Sequence, residues 1–200
     1  VLEATTLAAA ALALSPNLHV GTLVLDVTKR HPALTAKIAA TLDAIAPGRF
    51  TLGIGAGGDA AEHDALGMPY GEVSERIAAL AEQVAVARAM LSGDPSERIT
   101  LTAPGRLTGA ASAPRPGASV RLLIAGDHPS SISLAATFGD EWVAPAATFA
   151  AGCAQLREAE RAVGRAKPLV RTHLLHELRA SETLIESPFG RDPHASLAAA

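Results

Sequence analysis

An α/β fold of parallel βαβ units is predicted by three features of this sequence. Strand-like and helix-like runs alternate about five times with short links, the pattern of crossovers onto one parallel sheet. One strand, Phe50 to Gly55, runs straight into a glycine-rich turn, Gly53-Ile54-Gly55-Ala56-Gly57-Gly58. A hydrophobic content of 48% over 200 residues is enough for one sizeable core.

Thr5 to Leu14 reads as an Ala-rich helix stopped by Ser15-Pro16-Asn17. Its apolar run imitates a signal-peptide core, but no positive segment precedes it and Glu3 stands where Lys or Arg is expected. It is also too short to span a bilayer. His19 to Leu25, rich in Val, Leu and Thr, reads as a strand. Pro32 opens a helix to about Ile45, since proline is tolerated in a first helical turn, and Pro47-Gly48 ends it. After the strand Phe50 to Gly55, a helix runs from Val73 to Leu91 with Ile77, Leu80, Val84, Ala87 and Leu91 on one face. Residues Glu97 to Ala118 read as an inserted hairpin and a connector rich in Pro, Gly, Ala and Ser, within a single domain spanning 1–200. The strand Val120 to Ala125, helix Pro129 to Phe138, strand Glu141 to Ala144, helix Phe149 to Val163 and strand Leu169 to Leu178 complete the alternation.

The glycine turn is the sharpest local signal. Glycine lets the backbone approach a ligand closely, which neither a core strand nor an ordinary surface turn requires. Gly53, Gly55 and Gly58 fit the spacing G-x-G-x-x-G, but a dinucleotide fold needs a helix to open at once. The long helical pattern begins only near Val73, so a strand-end glycine loop in a barrel-type α/β enzyme fits better.

Composition excludes several classes. A net charge of −3 with no basic cluster, and 3% aromatics, leave neither an electrostatic footprint nor stacking platforms for nucleic acid. The single Cys153 forms no internal disulfide and fits a reducing, cytoplasmic setting. No Cys/His cluster has zinc spacing; His173 and His176 stand at i and i+3 on a strand and point to opposite faces, so they and Glu177 make no metal set.

Several stretches together resemble the bacterial luciferase-like family of flavin- or deazaflavin-dependent oxidoreductases. They are Thr22-Leu23-Val24-Leu25-Asp26-Val27-Thr28-Lys29-Arg30-His31-Pro32, Ala36-Lys37, Thr41-Leu42-Asp43 and Gly48 to Gly57. Glu62 with Ala65-Leu66-Gly67, Arg76, Ala135-Ala136 with Gly139-Asp140-Glu141-Trp142, and Val163-Gly164-Arg165 continue the match in order across nearly the whole chain. The resemblance implies a TIM (β/α)8-type barrel, incomplete here: it lacks the first two strands, which in this family face substrate, and the last. Catalytic residues are therefore not assigned.

Such barrels carry their sites at the C-terminal strand ends, so Leu25 to Thr28, Gly55 to Asp59, Gly126 to Ser131 and Ala144-Pro145 are expected at one mouth. The resemblance implies a non-prolyl cis peptide at Leu23-Val24, with Leu23, Val24 and Asp26 forming the floor under the cofactor ring; for Val24, a plain core strand is the competing reading. Gly55, Ala56 and Gly57 would run beside the ring. Gly126-Asp127-His128-Pro129-Ser130-Ser131 joins a strand to a helix, where free N–H groups make an anion site. By resemblance the cofactor phosphate binds there, with hydroxyls from Ser130 and Ser131; simple capping is the alternative, and Asp127 would repel phosphate unless it turns away as a cap.

Among other charged residues, His31 reads as a cap or packing residue, His63 between Glu62 and Asp64 as solvated, with a mouth-facing role as the alternative, and His128 as the best functional histidine. Arg76 with Glu72 or Glu75 reads as a surface or loop-anchoring ion pair of small value. Lys29-Arg30 at the strand mouth offers attraction for an anionic tail. The cofactor implied is FMN or coenzyme F420, giving monooxygenation or hydride transfer on a small organic substrate; Gly58 stands where deazaflavin enzymes of the family often carry an acidic or polar residue. Two other classes stay open: a non-catalytic barrel fragment that binds flavin or a partner, with homodimerisation through an open sheet edge, and a phosphate-binding barrel of another family.

Overall fold

A computed structural model describes residues 2–91, 99–101, 107–110 and 120–174. The elements are α1 Ala4–Leu14, β1 Val20–Gly21, β2 Leu25–Asp26, α2 Pro32–Ile45, β3 Phe50–Gly55, α3 Ala60–Ala65 and α4 Val73–Leu91. They continue with β4 Ile99–Leu101, β5 Leu107–Ala110, β6 Arg121–Ala125, α5 Pro129–Phe138, β7 Glu141–Pro145, α6 Ala146–Ala162 and β8 Val170–Leu174. A 3-10 turn at Val27–Lys29 links β2 to the start of α2.

The main sheet runs β1-β3-β6-β7-β8, with β2 also on β3, and every pairing is parallel. Spatial order therefore follows chain order. A doubly wound dinucleotide fold would reverse its strand order at a switch point, so that alternative falls even though α3 opens sooner after the glycine turn than the long helical pattern suggests. The sheet with its flanking helices is half of a barrel wall. The apolar strand β3 is buried at every residue, and Phe50, Leu52, Ile54, Leu122, Ile124 and Trp142 form the centre of the core under the helices. Pro32 stands at the start of α2, with His31 Nδ1 accepting from Ala33 N at 3.2 Å as its cap.

The strand expected over His19 to Leu25 is broken in two. Val20 and Gly21 pair with Phe50 and Thr51, while Leu25 and Asp26 pair with Ile54 and Gly55. Opposite Gly53 the backbone ladder is replaced by a side chain: Thr22 Oγ1 donates to Gly53 O at 2.8 Å and accepts from Gly53 N at 2.9 Å. The next peptide, Leu23-Val24, is cis.

On α4 the expected residues Leu80, Val84 and Ala87 are buried, while Ile77 and Leu91 are only half-buried; Gln83, Val86 and Met90 are buried too. The latter two form a second cluster with Ala36 of α2, and Gln83 Nε2 donates to Pro32 O at 3.2 Å. The helix α6 begins at Ala146, earlier than Phe149. β4 and β5 form a separate antiparallel pair where the hairpin is expected; its connector, and the far end of the strand expected to Leu178 with His176 and Glu177, lie outside the described residues. Among the described residues no helix is long and apolar enough to cross a membrane.

Candidate functional site

A cavity of about 600 Å³ opens at the C-terminal ends of β2, β3, β6 and β7, the end where a barrel carries its chemistry. Leu23, Val24 and Asp26 line it from one side, and Gly55, Ala56 and Gly57 from the turn after β3. Leu23, in the break between β1 and β2, is 56% exposed. Gly126, Asp127, His128 and Ser131 line the side formed by the start of α5. Ser130 is exposed and does not line the cavity, whereas Ser131 is buried and does. The cap of α5 is His128, not Asp127: its Nδ1 accepts from Ser130 N at 3.2 Å. Asp127 stays exposed at the cavity edge.

The glycine turn serves the protein's own packing before it serves any ligand. A Cβ on Gly53 would stand 1.8 Å from Thr22 O, and one on Gly55 would stand 2.9 Å from Val24 Cγ2. Gly57 has φ +78 and faces the Asp26 carboxylate, 2.5 Å from its would-be Cβ. The turn thus seats the broken strand and, at Gly57, holds Asp26 against the cavity.

His63, expected to be solvated, is buried at 1% exposure. Its Nε2 lies 2.7 Å from Asp26 Oδ2, its Nδ1 lies 3.0 Å from Pro69 O, and Tyr70 meets the ring edge-on at 5.0 Å. Asp26 Oδ1 accepts from Thr28 N at 2.9 Å and Thr28 Oγ1 at 2.7 Å. Burial works to raise the Asp26 pKa, but the hydrogen bonds from His63 and Thr28, with the His63 charge, outweigh it and hold the carboxyl below the usual carboxylate range. A depressed carboxyl contributes stability that is present above its unfolded pKa of about 3.9 and is lost as pH falls through the lower folded value. The stability difference between wild type and Asp26→Asn, read from urea unfolding, is therefore expected to be largest near neutrality and to shrink once the pH drops below about 4.

The cations at the mouth are not where the sequence suggests. Lys29 pairs with Glu62, and Arg30 pairs with Glu3, the cap of α1, so neither is free to draw an anionic tail. Arg76 makes no ion pair with Glu72 or Glu75; Glu75 Oε2 instead accepts from Glu72 N at 2.8 Å. The Arg76 guanidinium lies over Tyr70 at 4.0 Å, its Nη1 donates to Gly71 O at 2.8 Å, and its buried Nε has no hydrogen-bond partner. Arg76 lines the cavity. One signal for it was present: a cation in the first turn of α4 opposes the helix dipole, so something else has to account for it. Among the described residues no group of three or more His, Cys, Asp or Glu could hold a metal.

The family model of luciferase-like monooxygenases matches residues 1–183. The chain belongs to this family. Over 138 residues it is 37% identical to an F420-dependent glucose-6-phosphate dehydrogenase of Beutenbergia cavernae, covering 67% of this chain and 39% of that one. Over 98 residues it is 35% identical to the pyrimidine monooxygenase RutA of a Caulobacter species, covering 48% of this chain and 27% of that one. The chain thus spans well under half the length of these luciferase-like relatives. Among solved structures, an F420-dependent secondary alcohol dehydrogenase in complex with an F420-acetone adduct aligns with a TM-score of 0.77 and 24% identity, over 87% of this chain and 54% of that one. EDTA monooxygenase from Chelativorans aligns with a TM-score of 0.73 and 18% identity, over 99% of this chain and 55% of that one. These likenesses establish the half-barrel fold.

Proposed function

We propose that the protein is a luciferase-like oxidoreductase whose cavity holds the ring and phosphate of FMN or coenzyme F420 and presents them to a small organic substrate. The observation that carries this reading is the buried, unpartnered Arg76 Nε in the wall of the cavity that Ser131 and the start of α5 also line. A buried donor without a partner is costly, and an anionic group would satisfy it. Arg76, Ser131 and the N-terminus of α5 would hold the phosphate. Leu23 and Val24 would lie under the ring, and Gly55, Ala56 and Gly57 beside it. When bound, FMN supplies oxygen activation for monooxygenation, and F420 supplies hydride transfer. The chain's own contribution is to bind, orient and exclude water with an apolar floor and a tight glycine wall. The lone Cys153 supports the accompanying proposal of a cytoplasmic location.

The test is an equilibrium fluorescence titration of the folded chain with FMN, riboflavin and F420, with circular dichroism as the control for folding. Saturable FMN or F420 binding is expected. Arg76→Gln should weaken FMN by about tenfold and leave riboflavin, which has no phosphate, unchanged. A folded chain that binds none of the three would overturn the reading.

A further inference from the structure

The Asp26 side chain has acceptor capacity that the fold does not use. A carboxylate offers about four acceptor positions, and three are taken, by Thr28 N, Thr28 Oγ1 and His63 Nε2. The side chain is 15% exposed, and it lines the cavity beside Leu23 and Val24. Gly57 and the 3-10 turn close the rest of its surroundings.

His63 fixes what that carboxylate can be. Nε2 lies 2.7 Å from the Asp26 carboxylate and Nδ1 3.0 Å from the Pro69 carbonyl, and a carboxylate only accepts, so the bond to Asp26 is one that the ring donates. The other charges nearby are already engaged: Glu62 by Lys29, Asp59 as the cap of α3, and Arg76 over Tyr70, whose ring packs on His63.

We infer that Asp26 is the polar anchor of the cavity floor, accepting a hydrogen bond from an N–H or O–H of the bound ligand, and that His63 is the positioning residue that keeps its oxygen an acceptor. This rests on the functional reading above, and it sets an orientation. The ligand's donor edge meets Asp26, while its phosphate, which a carboxylate repels, lies toward Arg76 and α5.

Asp26→Asn keeps the shape and exchanges one acceptor for a donor. The probes are lumiflavin, which keeps the ring N3–H but lacks the ribityl hydroxyls, its N3-methyl derivative, which has neither, and riboflavin, which has both. The variant is expected to lose at least about tenfold in affinity for lumiflavin if the ring N–H is the donor, or for riboflavin alone if a hydroxyl is, and to bind N3-methyl lumiflavin as wild type does. An equal loss for all three, or no loss, overturns the inference. If Asp26→Asn does not fold, wild type decides: it must bind lumiflavin or riboflavin at least about tenfold more tightly than N3-methyl lumiflavin. Failure of folded wild type to bind any of these flavins overturns the inference, and failure to bind F420 as well overturns the functional reading with it. The positioning role is read without ligand, from the nitrogen-15 resonances of His63. Nε2 should carry a proton in wild type and lose it in Asp26→Asn, and a wild-type ring bare at Nε2 overturns that role.

Discussion

Gly53→Ala is expected to cost more than about 3 kcal/mol, a large fraction of a domain's total stability. The added Cβ would stand 1.8 Å from Thr22 O and 3.0 Å from Thr22 C, and these are backbone atoms that cannot swing aside like the tip of a long side chain. Retreat is blocked from both directions. The Thr22 hydroxyl bonds both Gly53 N and Gly53 O, and on the far side Gly53 is paired with Leu123. Gly58→Ala is the matched control: nothing lies within 4 Å of its would-be Cβ, and a change within about 0.5 kcal/mol is expected. Urea unfolding of the two variants separates them. A Gly53→Ala protein as stable as Gly58→Ala would mean that Thr22 and Val24 are not seated against β3 as described.

Much of the fold was legible because local rules and tertiary structure agree. Pro32 and Pro129 each open a helix, and β3, apolar but for Thr51, is buried on both faces of the sheet. The reading of His19 to Leu25 as one strand failed where a side chain took over a backbone task. Composition marks Thr22 as a strand former, and nothing in it says that the hydroxyl will replace the ladder at Gly53. The six-residue α3 is too short to show a helical period.

The site was legible in backbone and less so in side chains. Its loops were placed by their position after strands, which topology alone dictates. Ser130 and Ser131 were offered together, but neighbours on a helix point roughly 100° apart, so only Ser131 faces the cavity. His63 sits between two carboxylates, the ordinary mark of a solvated residue. Its burial comes from Asp26 and Thr28, 37 and 35 residues away, together with the nearby Tyr70 ring, and no local window contains the first two. Arg76 likewise departs from a pairing with its sequence neighbours Glu72 or Glu75, because its guanidinium lies over the Tyr70 ring in the cavity wall.

Trp142→Ala is expected to cost about 3–5 kcal/mol and to weaken cofactor binding beyond what lost stability explains. Trp142 is fully buried, stacks on Phe149 at 5.5 Å, and fills the space above Gly152, whose would-be Cβ stands 2.7 Å from the indole. A glycine in the middle of α6 costs about 1 kcal/mol against alanine, and room for the indole accounts for it. The same ring reaches the cavity through its one polar atom: Nε1 donates to Gly126 O at 2.9 Å. Gly126 opens the loop that would hold the phosphate, so the indole couples core packing to the anion site. Trp142→Phe separates the two tasks. It keeps an aromatic ring against Phe149 while leaving Gly126 O unpaired, so a smaller loss of about 1–3 kcal/mol is expected. In the FMN titration its affinity should still fall, with riboflavin less affected, because the loop rather than the ring floor has been released. If Trp142→Phe binds FMN as wild type does, the indole is a core residue only, and Gly126 is held by its own backbone bond to Val143 O.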